Sequence, residues 1–195
     1  MDVVVATAAL VFVLPLMTIV AVLLYAFDPG PIWFVQTRIG RGGRPFYCIK
    51  FRTMAVDAEA RLERLLAADP EAAREWRLNH KLAYDPRITS LGAFLRSSSL
   101  DELPQLINVI RGEMSLVGPR PIVPAETKRY GRYFAYYCDV RPGLTGMWQV
   151  LGRGRVSYRR RVAMDVLYVR KRTIWMNIWL IIATIPAVLL RKGAA

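Results

Sequence analysis

An uncharged apolar run from Val3 to Phe27 constrains this chain more than any other feature. About 20 apolar residues are enough to cross the hydrocarbon of a bilayer. Pro15 sits in the middle of the run. Proline removes a backbone donor and clashes with the preceding turn, so a helix is kinked or broken there. Two short halves of a broken helix can enter and leave a membrane by the same face. A re-entrant membrane helix broken at Pro15 is therefore the expectation for residues 1–30. Arg38, Arg41, Arg44, Lys50 and Arg52 follow at once, and the positive-inside rule places that side in the cytoplasm. No basic segment precedes the run and it has no small-x-small cleavage site, which argues against a cleaved signal. Only Met1-Asp2 comes before it, so the start reads as trimmed.

Residues 31–195 read as one compact, mainly helical domain. Its charge is lopsided: 28 Lys plus Arg against 15 Asp plus Glu, a net of +13. Most of the excess lies after Arg111. Such a surface attracts polyanions, whether nucleic acid, anionic headgroups or phosphorylated substrates. Cys48 and Cys138 lack metal spacing and read as reduced thiols. His80, the one histidine, sits in a charged stretch and reads as solvated. Histidine-based triads and His-bound zinc are thereby disfavoured, and carboxylates must carry any acid, base or nucleophilic work.

Ile32–Thr37 and Pro45–Phe51 flank Gly40-Arg-Gly-Gly43, which predicts a β-hairpin with a glycine turn. Val56–Ala68 carries Leu62, Leu65 and Leu66 between charges, a helical pattern. Asp69-Pro-Glu71 supplies an N-cap, a proline at the first helical position and an acid in the first turn of a second helix. Asp85–Gly92 reads as a turn leading into Ala93-Phe-Leu-Arg96. The fold class is α+β.

Ser97-Ser-Ser-Leu-Asp-Glu-Leu-Pro104 places adjacent carboxylates, Asp101 and Glu102, inside a basic domain. Ser99 and Glu102 fit a capping box, which is a purely structural role. Pro104 argues against a helix running straight through from Ser99 and suits the first residue of one ending near Gly112. Acids isolated among arginines also suit chemistry on phosphate. Val117-Gly-Pro-Arg-Pro121 and Arg141-Pro-Gly-Leu-Thr-Gly146 each fix an arginine beside prolines and glycines. Rigid backbone lowers the cost of holding a guanidinium, and arginine grips phosphate oxygens in bidentate fashion.

These segments, with Phe34–Gly40, Lys50-Phe-Arg-Thr-Met54, Asp85-Pro-Arg-Ile-Thr89, Ser99–Val109, Gly112–Pro121, Arg141–Val150, Gly152-Arg153 and Asp165–Val169, resemble the bacterial sugar transferases, the monotopic polyprenyl-phosphate phosphoglycosyl transferases. The resemblance covers nearly the whole chain in order. The insertion between Met54 and Asp85 is most similar to members that begin exopolysaccharide synthesis with a hexose phosphate. One departure is Leu14, where the family often has serine before the proline. The extra N-terminal spans and accessory domain of larger members are not in the sequence.

The resemblance implies an enzyme at the cytoplasmic face of the bacterial inner membrane, with a UDP-sugar and undecaprenyl phosphate as partners and no nucleic acid. It implies Asp101 as nucleophile, forming an aspartyl-phosphosugar and releasing UMP. Glu102 would bind metal or orient the site. Anionic reactants call for a hard cation, and Mg²⁺ on Asp101 and Glu102 suits carboxylate and phosphate oxygens. Arg87, Arg96, Arg120 and Arg141 are the candidate phosphate contacts. Thr145, Trp148 and Gln149 are expected near the nucleotide or sugar. Amino-sugar members often carry a smaller residue where Trp148 stands, so a neutral hexose is expected, galactose before glucose.

Ile174–Leu190 is apolar, with Trp175 and Trp179 one turn apart and basic residues on both sides, Arg170-Lys-Arg172 and Arg191-Lys192. Asn177 and Pro186 weaken a span. An interfacial helix with tryptophans at headgroup depth is expected, and a core helix is the alternative. A rival reading for the whole chain, a non-enzymatic basic module tethered to a membrane, accounts for the charge but not for Asp101 and Glu102.

Overall fold

The computed structural model describes residues 1–79, 82, 84–152 and 156–189. His80, Arg153, Arg191 and Lys192 lie outside the described residues. Helix α1 runs Asp2–Phe27 with Pro15 inside it. The expected break into two half-helices is not present: helical structure continues through the proline. The loss of one backbone donor is local, since it leaves only the Val11 carbonyl without its helical partner, and the Thr18 hydroxyl donates to the Leu14 carbonyl at 3.0 Å. Side-chain back-bonding of this kind bends helices without ending them.

Both halves of α1 also pack against the rest of the chain. Ala6 is buried with Phe46, Cys48, Leu106, Val109, Met114 and Leu180. Met17, Val20 and Leu24 are buried with Phe51 and Leu95. The two ends are tied down as well. Ser115 Oγ donates to Asp2 at 2.5 Å, and the backbone N–H of Val56 donates to Asp28 at 3.0 Å. The opposite face leaves Val4, Val11, Phe12, Ile19, Val22 and Phe27 exposed.

Strands β1 (Trp33–Ile39) and β2 (Pro45–Phe51) form the predicted antiparallel hairpin, with Ile39 opposite Pro45. Gly42 and Gly43 turn it at φ of 69° and 74°, which favours glycine. Helices α2 (Ala58–Ala68) and α3 (Pro70–Asn79) follow as read. Asp69 accepts from the N–H groups of Glu71 and Ala72 at 2.8 and 3.1 Å, so the expected cap forms. Helix α4 (Ser90–Ser98) is capped by Thr89, which accepts from Gly92 N–H.

A single 3₁₀ turn, Leu100–Glu102, connects α4 to α5 (Gln105–Ile110). After α5 come β3 (Ser115–Val117), a 3₁₀ turn at Pro124–Glu126, α6 (Thr127–Tyr130), another at Gly131–Tyr133, α7 (Phe134–Cys138) and β4 (Gly143–Thr145). Helices α8 (Met147–Leu151), α9 (Tyr158–Lys171) and α10 (Ile174–Leu189) complete the order. The fold is mostly helical α+β, with two small sheets among the described residues.

The second sheet, β3 parallel to β4, was not anticipated: both arginine-proline segments read as loops. Its strands are three residues long, too short to show alternation. Glycine makes the pairing possible. A Cβ on Gly143 would lie 2.0 Å from Gly118 N, so no other residue fits there without backbone movement.

Asn108 is fully buried under the hairpin. Its Oδ1 accepts from Ile49 N–H at 3.1 Å, and its Nδ2 donates to the Tyr47 carbonyl at 2.7 Å and to Glu113 at 2.6 Å. A satisfied buried amide fixes one arrangement of neighbours, here α5 against β2. Helix α10 turns Leu180 into the core. Its other face exposes Trp175, Trp179, Ile182 and Ile185. The helix thus has both a core face and an exposed aromatic-apolar face. Asn177, which interrupts its apolar run, is within 3.0 Å of the Tyr168 hydroxyl.

Candidate active site

Asp101 and Glu102 occupy the 3₁₀ turn between α4 and α5. The turn is reached through Ser99, whose φ of 59° is the only positive value outside glycine among the described residues. Left-handed backbone is uncommon for a residue with a Cβ. Here it closes α4, since the Ser99 N–H reaches back to the Leu95 and Arg96 carbonyls. The capping box does not form. Ser99 makes no side-chain cap, and Glu102 turns instead to cations.

Lys50 Nζ stands 2.5 Å from Glu102 Oε1, and Arg120 Nη2 stands 3.8 Å from the same oxygen. Burial disfavours the Glu102 charge, but Lys50, Arg120 and Arg38 outweigh it and hold the carboxyl below its ordinary value. Asp101 shifts the other way. Burial and then the neighbouring Glu102 charge push it up to about 6, against the pull of Lys50, Arg96 and Arg120. Adjacent acids driven apart in this manner divide their roles. Glu102 is a fixed anion inside a cationic cluster. Asp101 is buried, and its carboxyl is the one of the pair whose charged form the surroundings disfavour.

The cations come from four segments. Lys50 lies on β2. Arg38 lies on β1, and its Nη1 donates to the Pro121 carbonyl at 3.0 Å. Arg120 follows β3. Arg96 closes α4, with its Nε on Thr53 Oγ1 at 2.8 Å. Arg38, Lys50, Glu102, Gln105, Arg120 and Gln149 line one cleft.

Of the arginines read from the sequence, the fold brings Arg96 and Arg120 to the acid pair. Arg87 is committed elsewhere. It grips Asp85 through Nε at 2.8 Å and Nη2 at 2.7 Å, and its guanidinium stacks 4.7 Å over Trp76 of α3. Arg141 is exposed, with its guanidinium near Gly112. Among the described residues, no ion pair joins Arg87 or Arg141 to Asp101 or Glu102. Trp148 lies 5.9 Å from the Arg120 guanidinium, which brings it beside the cleft. The Thr145 hydroxyl instead meets Thr184 of α10 at 2.7 Å.

Lys50 and Arg38 received no site role from the sequence. A signal was there: strand alternation puts Phe46, Cys48, Lys50 and Arg52 on one face. A lysine on a face that otherwise turns inward needs an anion. No group of three or more His, Cys, Asp or Glu gathers among the described residues. Asp101 and Glu102 are the carboxylates in place, and Mg²⁺ commonly takes one or two carboxylates with the remaining oxygens from substrate phosphates. The pair fits such an ion.

The acid pair therefore sits among Lys50, Arg96 and Arg120, with Glu102 facing the cleft, in a chain whose first helix is long and apolar enough to cross a membrane. The chain belongs to the bacterial sugar transferase family, whose model matches residues 1–191. It is 46% identical over 193 residues to the exopolysaccharide production protein ExoY of Rhizobium meliloti, covering 99% of this chain and 85% of that one. It is 50% identical over 167 residues to the undecaprenyl-phosphate galactose phosphotransferase of Salmonella typhimurium, covering 86% of this chain and 35% of that one. It is 38% identical over 203 residues to the UDP-glucose:undecaprenyl-phosphate glucose-1-phosphate transferase of Caulobacter vibrioides, covering 100% and 70%. Some relatives are far longer: the chain spans 41% of an uncharacterized sugar transferase of Haemophilus influenzae to which it is 49% identical.

Proposed function

We propose that this protein transfers a hexose 1-phosphate from a UDP-sugar to undecaprenyl phosphate, the first membrane step of exopolysaccharide synthesis. The observation that carries the reading is the placement of Asp101 and Glu102 on one turn, with Lys50 2.5 Å and Arg120 3.8 Å from the Glu102 carboxylate. A carboxylate of Asp101 attacks the phosphorus that bears the sugar. The bond from that phosphorus to the bridging oxygen breaks, and UMP leaves with the electron pair. A terminal oxygen of undecaprenyl phosphate then attacks the aspartyl-bound phosphorus. The bond to Asp101 breaks, which restores the carboxylate and releases the lipid diphosphate sugar.

Arg96 and Arg120 neutralise oxygens of the transferring phosphoryl group, where fixed cations lower the barrier most. Lys50 holds Glu102 in place, so that Asp101 and Glu102 present their oxygens together. Mg²⁺ held by the two carboxylates would supply further charge neutralisation on the diphosphate. Arg87 and Arg141 are candidates for outlying phosphate groups, and Gln149 and Trp148 for the nucleotide or sugar side of the cleft.

The same reading places α1 in the cytoplasmic leaflet without crossing it. Its support is the contact of both helix ends with one domain, Asp2 with Ser115 and Asp28 with Val56, together with the exposed apolar face between them. The α10 tryptophans face the headgroups in this arrangement. Relatives carry names for both galactose and glucose transfer. Trp148 favours a neutral hexose, and galactose is the first choice.

The test is a mass measurement. Protein incubated with a UDP-hexose and Mg²⁺ alone should gain one phosphohexose on Asp101 and release UMP in equal amount. Addition of undecaprenyl phosphate should discharge it. A label on any other residue, or turnover by the Asp101→Asn variant, refutes the mechanism. UDP-galactose, UDP-glucose and UDP-N-acetylglucosamine compared side by side decide the sugar, and preference for the N-acetylated donor refutes the hexose assignment.

A further inference from the structure

Beside Arg120 lies a group of buried donors of which the proposed chemistry gives only Trp148 a place. Arg161, on the first turn of α9, has its guanidinium sandwiched between two rings, 4.7 Å from the Trp148 centroid and 5.1 Å from that of Tyr158. Its side chain is 12% exposed, and its nearest carboxylate is Glu126, at 3.7 Å from Nη1. Arg161 Nε, Arg161 Nη2, Trp148 Nε1 and the Tyr158 hydroxyl are all buried, and among the described residues none of the four has a hydrogen-bond partner. Buried donors normally find acceptors, because an unpaired one forfeits its hydration with nothing in return.

The chemistry of the four is uniform. A guanidinium and an indole N–H can only donate, and a phenol supplies a further O–H. The Glu126 carboxylate faces Arg161 Nη1 through one oxygen and accepts from the Val123 N–H through the other, and Nε and Nη2 are left without a partner among the described residues. A set of donors built around a guanidinium is matched by an oxyanion with several oxygens. The set adjoins Arg120, which lines the cleft. Trp148 has Arg161 at one ring contact and Arg120 at another, and Arg120 reaches Glu102.

We propose that Arg161, Trp148 and Tyr158 form a second phosphate-binding subsite, which takes a phosphate group other than the one attached to Asp101. The inference rests on the transferase reading above. Two substrates offer such a group: the phosphate that leaves within UMP, and the terminal phosphate of the lipid acceptor. In either case the subsite binds the partner of the transferred phosphoryl group. Arg161 and Tyr158 contact substrate and Trp148 donates its indole N–H, while its ring positions Arg120.

The experiment uses the full chain in lipid nanodiscs. Affinities for UMP, uridine and farnesyl phosphate are measured by calorimetry, and the melting temperature is recorded without ligand. Tyr158→Phe removes one donor and nothing else. It should leave the unliganded melting temperature unchanged or raised, because an unpaired buried hydroxyl is gone. It should weaken one phosphate ligand roughly tenfold, the effect of one good hydrogen bond, and leave uridine unaffected. Arg161→Gln should weaken the same ligand more strongly, and Arg161→Lys should not restore it, since an ammonium lacks the planar fork.

Loss confined to UMP assigns the nucleotide phosphate, and loss confined to farnesyl phosphate assigns the lipid phosphate. Unchanged affinity for both ligands in Tyr158→Phe overturns the proposal, as does an equal loss for uridine, which would place the base on these donors. A lowered unliganded melting temperature with unaltered affinities would make the cluster structural and also overturns it. Wild-type protein that binds neither phosphate refutes the transferase reading itself, and the subsite with it. Should Arg161→Gln fail to fold, the Tyr158→Phe measurements decide alone.

Discussion

Asp101→Asn should make the protein more stable while abolishing sugar-phosphate transfer. Asp101 is 9% exposed, and its carboxyl is held near 6 rather than 3.8, first by burial and then by the Glu102 charge. A folded-state value above the unfolded one means that the folded protein binds the proton more tightly. Stability is then highest below the unfolded value, falls as the pH rises from about 4 to about 6, and is level above that. The difference between 3.8 and about 6 corresponds to roughly 3 kcal/mol at pH 7 and above. Incomplete burial reduces what is recovered to roughly 1–3 kcal/mol. Asparagine keeps the shape and removes the charge. Denaturation of both proteins in the same detergent, at pH 5, 6, 7 and 8, should show a gain that is smallest at pH 5 and levels off by pH 8. A loss of stability at pH 8, or a gain independent of pH, would show that Asp101 is not a strained carboxylate and would remove the physical basis for its nucleophilic role.

Three further perturbations test other links. Lys50→Met removes a cation that favours the ionised form of Asp101, so the acid limb of the rate of labelling by a UDP-hexose should move to higher pH by roughly one unit; a stationary limb would exclude Lys50 from the electrostatics of the site. Asn108→Ala strips hydrogen bonds from the Ile49 N–H and the Tyr47 carbonyl, and chemical denaturation should show a loss of about 2–4 kcal/mol, with a loss under 1 kcal/mol refuting its role as a strut. Trp175→Ser with Trp179→Ser leaves the Leu180 core face intact and should reduce flotation with anionic vesicles several-fold while preserving the melting temperature; unchanged flotation would take α10 off the bilayer surface.

Local chemistry made much of this fold readable. The hairpin followed from two strand-like runs around glycines, and α3 followed from Asp69, Pro70 and Glu71, where cap and proline point to one boundary. The acid pair was readable because two carboxylates stood out in a basic segment. Features that depend on distant partners were not. Ser99 looked like an N-cap because the sequence shows its hydroxyl but not its left-handed backbone. The β3–β4 sheet was hidden because its strands are short and are joined by contacts across more than twenty residues. Pro15 read as a break because propensity is local, whereas the helix is held on both sides of the proline by two core clusters. Arg87 read as a phosphate contact, and its commitment to Asp85 and Trp76 appears only in three dimensions. Arg161 had no motif around it at all.

Helix α1 supplies Ala6 to one core and Met17, Val20 and Leu24 to another, while turning a row of large apolar side chains outward. The same helix therefore cannot serve the interior and be withdrawn from it. Water against the outward row would be opposed by the hydrophobic effect along most of the helix. Acyl chains or detergent tails then become the missing outer layer of the protein's own core. Stripping them away should act as a denaturant: delipidation and loss of the Leu100–Glu102 turn, which leads into α5 packed against α1, become a single cooperative event rather than two.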